Sequence, residues 1–351
     1  MTNTEMDFSP EDFQLVGDEK ILQIDETFAG QSYWKDIRSR FAQNKGAIAG
    51  IICILIVIIM AIIGPTLTGH TYSEQVITHQ NLAPRVKGLE NIGIFDGSEK
   101  MHTSTGTVEQ NKYVSKDSSV KTGLEDVYYW FGTDVLGRDI FTRTWTGTRI
   151  SLYIALVAVI VDMCFGMVYG LISGYFGGKV DMVLQRFSEI LNGIPTLVIV
   201  TLLILVFKPG LVTITLALAL TGWIGMSKIA RAQVLKLKEQ EFILASKTLG
   251  AKNFFIIFKE ILPNIFGQLI VMSMFSIPNA IFTEAFLAFI GLGVPQPLAS
   301  LGSLISDAFK SFTTHPYMII FPVIVLAAIM LSFNLVADGL RDAFDPKMKE
   351  M

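Results

Sequence analysis

Residues 241–264 read EFILASKTLGAKNFFIIFKEILPN. From 241 to 249 the pattern is helical. Phe242, Ala245, Ser246 and Leu249 recur at i, i+3, i+4 and i+7 and share one face, with Glu241 opening the first turn. Ala245 and Ser246 are small, so that face can sit tightly against a partner. Gly250 is suited to the left-handed conformation that ends a helix, and Ala251 follows it. A second apolar helix is expected through Phe254, Phe255, Ile257 and Phe258, with Pro263 interrupting after Leu262. Local pattern alone leaves two readings of this helix–turn–helix. One is a docking element for a partner, and the other is an amphipathic hairpin lying on lipid.

The stretch belongs to a charged segment, 228–263, with seven bases and three acids. Around it the chain is strongly apolar: of 351 residues, 51% are hydrophobic and 17% charged, and the mean hydropathy is +0.50. An average soluble domain carries about 25% charged residues. The composition excludes a disordered chain and argues against an ordinary soluble enzyme. Six spans of about 20 residues would use about 120 apolar residues, fewer than the chain holds. A net charge of −3 gives no sign of nucleic-acid binding.

Six apolar runs are expected to cross a bilayer, at 46–67, 150–171, 196–207, 211–226, 265–290 and 317–336. The first begins too far from Met1 for a usual cleaved signal and reads as a retained anchor. Arg38, Arg40 and Lys45 precede it, which favours a cytosolic N-terminus. Counting spans from there puts 228–263 in the cytosol, where its excess of bases also puts it, and leaves 341–351 inside. The third run is short unless it begins near Leu191. Residues 177–192 read as a cytosolic connection and 68–148 as an irregular external loop. Residues 1–33 hold eight acids and one base and read as a solvated tail, the outer part of a cytosolic segment 1–45. The expected architecture is all-α with six transmembrane helices, the last five forming a core over 149–340.

The residues offer little catalytic chemistry. The nearest approach to a phosphate-binding loop ends at Gly178-Lys179, but Ser173 and Val180 stand where a glycine and a hydroxyl residue are needed. Neither H-E-x-x-H nor G-x-S-x-G occurs. Cys53 and Cys164 lie in apolar runs and suggest no disulfide framework. His70, His79, His102 and His315 have no metal-ligand spacing. Neither a cofactor nor a metal is expected on this chain. Gly166, Gly170 and Gly174 share a helix face that would admit another helix closely. Asp162 and Glu284 are carboxylates within apolar runs, where a charge is costly and usually faces a cavity or a partner. They read either as a proton relay or as partnered groups at helix interfaces.

Residues 241–264 resemble the coupling loop of ABC importer permeases. That pattern is E-A-A, three residues, Gly, nine residues, then I-x-L-P. Ala245, Gly250, Leu262 and Pro263 match it; Leu244 and Glu260 stand where it has Glu and Ile, and Ser246 replaces its second Ala. Three further segments resemble C-type permeases of oligopeptide and dipeptide importers: WKDIRSRFAQNKGAIAG, FGTDVLGRDIFTRTWTGTRISL, and FTEAFLAFIGLGVPQP with its typical Glu284. NLVADGLRDAFDPK resembles their C-terminus.

The resemblance implies a type I importer permease in a bacterial cell membrane. It implies a homologous partner permease, two cytosolic ATPases that carry the ATP, an external peptide-binding protein and a peptide substrate. Its coupling-loop residues would be Glu241, Phe242, Ala245, Ser246, Leu249, Gly250, Ala251, Leu262 and Pro263. The alternatives are a proton-coupled peptide carrier, resting on Asp162 and Glu284, and a permease of the same family for another solute such as nickel. An intramembrane enzyme would need a nucleophile and base that the spans do not offer.

Overall fold

A computed structural model describes residues 33–103, 106–114 and 122–344. The acidic tail up to residue 32, most of 341–351 and part of the external loop lie outside the described residues.

A short helix α1 (Tyr33–Gln43) leads into α2 (Lys45–Leu67). Asn44 caps α2 by accepting the backbone N–H of Ala47 at 3.0 Å. With 23 residues at about 1.5 Å each, α2 can cross a hydrocarbon core of about 30 Å. Ile52, Leu55, Ile56, Ile59 and Ile62 on its outer side are exposed, as a lipid-facing stripe requires. Pro65 lies inside α2 and has no N–H for the Ala61 carbonyl one turn earlier. Arg149 supplies the missing donor: Nε donates to the Ala61 oxygen and Nη2 to the Ile62 oxygen at 2.7 Å.

The remaining long helices are α3 (Ile140–Phe176), α6 (Leu211–Leu237), α8 (Asn253–Leu292) and α10 (Tyr317–Phe344). Between them stand α4 (Gly178–Asn192), α5 (Thr196–Phe207), α7 (Glu241–Thr248) and α9 (Leu301–Phe309). Among the described residues, five helices are long and apolar enough to cross a membrane, with a sixth crossing if α4 and α5 form one span.

Four expectations about the helices need correction. The third run is no straight crossing, because α4 and α5 meet at a 77° bend over residues 193–195, at Gly193 and Pro195. The first core helix begins at Ile140, not near 149, because Asp139 caps it by accepting the N–H groups of Phe141 and Thr142. Residues 228–237 are the inner end of α6, not a separate charged segment. Nor does Pro263 break the helix after the hairpin: a wide π turn over Ile256–Ile261 takes up the register change that a residue without an N–H imposes. The side-chain amide of Asn264 then satisfies the Glu260 carbonyl at 2.6 Å.

The glycine face on α3 is used as expected. A methyl group added to Gly166 would lie 2.6 Å from the Trp223 carbonyl oxygen, and one on Gly174 would lie 2.8 Å from Val234 Cβ. Gly170 faces the Ser227 carbonyl and Ala230 in the same way. The partner is therefore α6, which approaches nearly to backbone contact.

The segment after α2, expected to be an irregular external loop, is built rather than irregular. It carries an antiparallel hairpin, β1 (Ser98–Thr103) with β2 (Gly106–Asn111), and a core of Leu82, Tyr113 and Tyr129. Tyr113 donates to the Ala83 carbonyl at 2.9 Å, and burial pushes its phenol well above the usual range. Burial also pushes the Tyr129 phenol up to about 12. Arg85 pairs with Glu90 at 2.6 Å, donates to the Glu125 carbonyl at 2.8 Å and lies over the Tyr128 ring at 4.7 Å.

Candidate functional site

Two places could do work. The first is the hairpin that begins at α7. Ile243 is fully buried and joins a core with Leu171, Tyr175, Ala230, Ile256, Ile257 and Ile261. It therefore pins α7 to α3, α6 and α8 together. Ser246 Oγ donates to Glu260 Oε1 at 2.7 Å, and Tyr175 donates to Asn253 Oδ1 at 3.0 Å. The Lys247 ammonium stands 5.1 Å above the Tyr175 ring. Sequence reading missed Ile243, Tyr175 and Asn253. Nothing in the chain marks a residue of α3 as the neighbour of a hairpin some 70 positions later.

The turn after α7 is a Schellman motif. Ala251 N–H donates to the Ser246 carbonyl and Gly250 N–H to the Lys247 carbonyl, both at 3.0 Å, and Gly250 has φ +79°. Both orphan carbonyls are thereby satisfied. Outward, the hairpin shows Phe242, Leu244 and Leu249 to solvent, Leu249 with 88% of its surface exposed. Ala245 and Gly250 are exposed beside them. Of the expected face only Ser246 turns partly inward, because Glu260 holds it. Leu262 is half-buried and Pro263 exposed at the start of α8.

The second place is an open cavity of about 360 Å³ between α3, α6 and α8, reached at the α4–α5 bend. Its wall includes Asp162, Asn192, Thr196, Thr221, Ser276 and Asn279. A further cavity of about 470 Å³ shares Ile229, Met272 and Phe275 with it and reaches Gln233, Gln268 and Arg341. Polar groups along this lane contrast with the aliphatic face of α2. In hydrocarbon they would be costly, so the lane faces water or another protein.

The two intramembrane carboxylates are treated differently. Glu284 is fully buried and accepts the Ser151 hydroxyl at 3.0 Å, while the Ser300 hydroxyl also faces it. It is a partnered group where α8 meets α3 and α9. Asp162 opens a π turn in α3, Asp162–Gly166, and lies on the cavity wall. The structure does not bring them together: Asp162 faces Ser276, two turns of α8 before Glu284. Among the described residues no group of three or more metal-ligating side chains is assembled. Cys53 and Cys164 are both free.

Comparison with known proteins places this architecture. Residues 166–350 match the family model for the binding-protein-dependent transport system inner membrane component. Residues 32–84 match the N-terminal transmembrane domain of oligopeptide transport permease C. The chain is 42% identical over 319 residues to the oligopeptide transport system permease protein OppC of Bacillus subtilis (strain 168), with 91% of each chain covered. It is 39% identical over 342 residues to the dipeptide transport system permease protein DppC of the same organism, covering 97% of this chain and 94% of that one. A solved inward-facing MetNI methionine ABC transporter aligns with 58% of this chain and 97% of its own, at 16% identity and a TM-score of 0.49. The chain is a multi-pass membrane protein that belongs to the family of binding-protein-dependent transport system inner membrane components.

Proposed function

We propose that this chain is one of two permease subunits of an ATP-driven peptide importer. The observation that carries the reading is its 42% identity to an oligopeptide permease over nine-tenths of both chains. An external binding protein delivers the peptide, which crosses between this subunit and a homologous partner. The hairpin at 241–263 and both termini face the cytosol, and the loop at 68–139 faces outward. The chain performs no bond chemistry, since ATP is bound and hydrolysed on two partner ATPases.

The hairpin is suited to receive the ATPase stroke. Its outer face shows Phe242, Leu244 and Leu249 with no partner covering them among the described residues, and its inner face is fixed by Ile243, Glu260 and Asn253. A push on α7 therefore reaches α3, α6 and α8 at once and can switch the cavity between inward- and outward-facing states.

The test is uptake of labelled oligopeptide by proteoliposomes that hold the complete complex with its binding protein. Uptake should need ATP on the ATPase side and survive a protonophore. Uptake that collapses with the proton gradient and proceeds without the ATPases would overturn the reading. Topology is tested on a background with Cys53 and Cys164 replaced. An impermeant thiol reagent on intact cells should label Lys87→Cys in the outer loop and spare Lys252→Cys in the hairpin.

A further inference from the structure

Asp162 is the charge-bearing side chain on the wall of the upper cavity. It retains only 4% of its surface, and its Oδ1 has no hydrogen-bond partner. It makes no ion pair among the described residues; the Ser276 hydroxyl faces its carboxyl. Opposite Oδ1 stands Gly222, where even an added methyl group would keep 3.6 Å away. The oxygen is thus left bare on a wall made by a residue without a side chain. Glu284 also keeps one oxygen, Oε1, without a partner, but it is sealed between helices, whereas Asp162 lies on the wall of an open cavity where a donor can arrive from outside the chain.

The rest of the wall fits a cationic visitor. Asn192, Thr196, Thr221, Asn279 and Thr283 bring amide and hydroxyl groups to the same space, and each offers an oxygen as acceptor. No Lys, Arg or His lines this cavity; Arg341 stands at the far end of the adjoining one. The π turn that Asp162 opens widens α3 at this level, a distortion often found where a helix serves a site.

We propose that Asp162 is a transient binding point for a primary ammonium group of the peptide as it crosses. The proposal rests on the peptide-importer reading and adds to it a subsite with a stated chemistry. The ammonium can come from the peptide's N-terminus or from a lysine side chain. Either donates to the carboxylate in a confined setting where a charge-assisted bond is worth more than a neutral one. The site need not bind tightly, because a carrier must release its cargo.

The test uses the complete complex in proteoliposomes, with the binding protein saturated by each peptide in turn. Four tripeptides separate the sources: alanine peptides with a free or acetylated N-terminus, each with or without a central lysine. Asp162→Asn preserves shape and removes the charge, and Asp162→Glu restores the charge one methylene further out. In Asp162→Asn, transport of ammonium-bearing peptides should fall by about tenfold or more, on the scale of a lost charged hydrogen bond. The acetylated peptide without lysine should be unaffected, and Asp162→Glu should recover part of the loss. A fall confined to free N-termini, or to lysine, identifies which ammonium is read. Rates unchanged from the wild type for all four peptides in Asp162→Asn, or an equal fall for all four, would overturn the proposal. Failure of the wild-type complex to take up any of them with ATP would instead overturn the importer reading.

Discussion

The two ends of this molecule handle polar and apolar groups in opposite ways. At the end that carries the β-hairpin, Asp134 receives Arg138 at 2.6 Å and lies 3.7 Å from Arg143. Both guanidiniums are almost fully buried. Arg138 also donates to Gln296 at 3.0 Å and Arg143 to the Tyr72 carbonyl at 3.1 Å. Asp139 caps α3 and accepts the Thr68 hydroxyl at 3.1 Å. At the opposite end, α7 is held by one buried isoleucine and a few side-chain hydrogen bonds, and turns its other apolar groups to solvent. The knot is held by contacts within the chain, with only Arg143 Nε left without a hydrogen-bond partner among its guanidinium contacts, whereas the hairpin leaves an apolar face open among the described residues. A closed, buried charge cluster makes a fixed anchor; a small helix with an apolar outer face makes a contact that something else can move.

The contrast breaks most readily at Asp134. Asp134→Ala strands two buried guanidiniums and should cost about 3–5 kcal/mol, read as a fall in the unfolding temperature of the purified complex. A change below 1 kcal/mol would mean that the knot is not an anchor. Ile243→Ala should cost about 2–5 kcal/mol as a buried truncation. Its effect should be local, seen as faster hydrogen exchange over 241–252 with the outer loop unchanged. Gly250→Ala meets no atom within 4 Å, so its cost is purely conformational, about 1–2 kcal/mol for a left-handed residue. It should weaken coupling without blocking it.

The smallest effect is expected at His79. Burial, with His70 adding to it, holds this imidazole below its ordinary value, although Nδ1 sits 2.7 Å from the Tyr129 hydroxyl. The fold favours the neutral ring, so its contribution is full above pH about 6.5. It is lost as pH falls through the lower folded value. Protection of the amides at 79–82, corrected for the pH dependence of intrinsic exchange, should fall slightly on acidification in the wild type and less so in His79→Gln.

Much of this was legible in the chain, and the rest was hidden for identifiable reasons. Apolar runs locate α2, α8 and α10 because lipid demands them. They mislead about ends, because a helix's hydrogen-bond ladder does not stop at the membrane surface; α3 and α6 run on past their apolar segments. Gly166, Gly170 and Gly174 announce a close helix contact by spacing alone, but not that α6 makes it. Gly250 is readable as a cap because few residues tolerate its φ. The anchor Ile243 is one aliphatic residue among several in α7, and only the neighbours contributed by α3 and α8 make it the buried one. The pairing of Ser246 with Glu260 needs the π turn, which the sequence does not mark. Arg138 and Arg143 look like ordinary loop charges until Asp134 and Gln296 are seen around them. Asp162 and Glu284 are equally conspicuous in the sequence, yet only the fold shows that Glu284 is sealed against Ser151 between helices while Asp162 lies on a cavity wall.

The central claim is that the exposed face of α7 is where the ATPases take hold. Ala245→Trp adds bulk to that face, and Leu249→Asp places a charge on it. Both side chains are exposed and neither is the buried Ile243; Leu249 lies within the Schellman turn, but its bonds are made by backbone groups that the substitution keeps, so insertion and unfolding temperature should match the wild type. The decisive measurement is the yield of ATPase subunits that co-purify with each variant, followed by ATP-driven peptide uptake from the same preparation. The account predicts that both variants lose the ATPases, or keep them with uptake reduced at least tenfold. Normal co-purification together with normal uptake in both would contradict it.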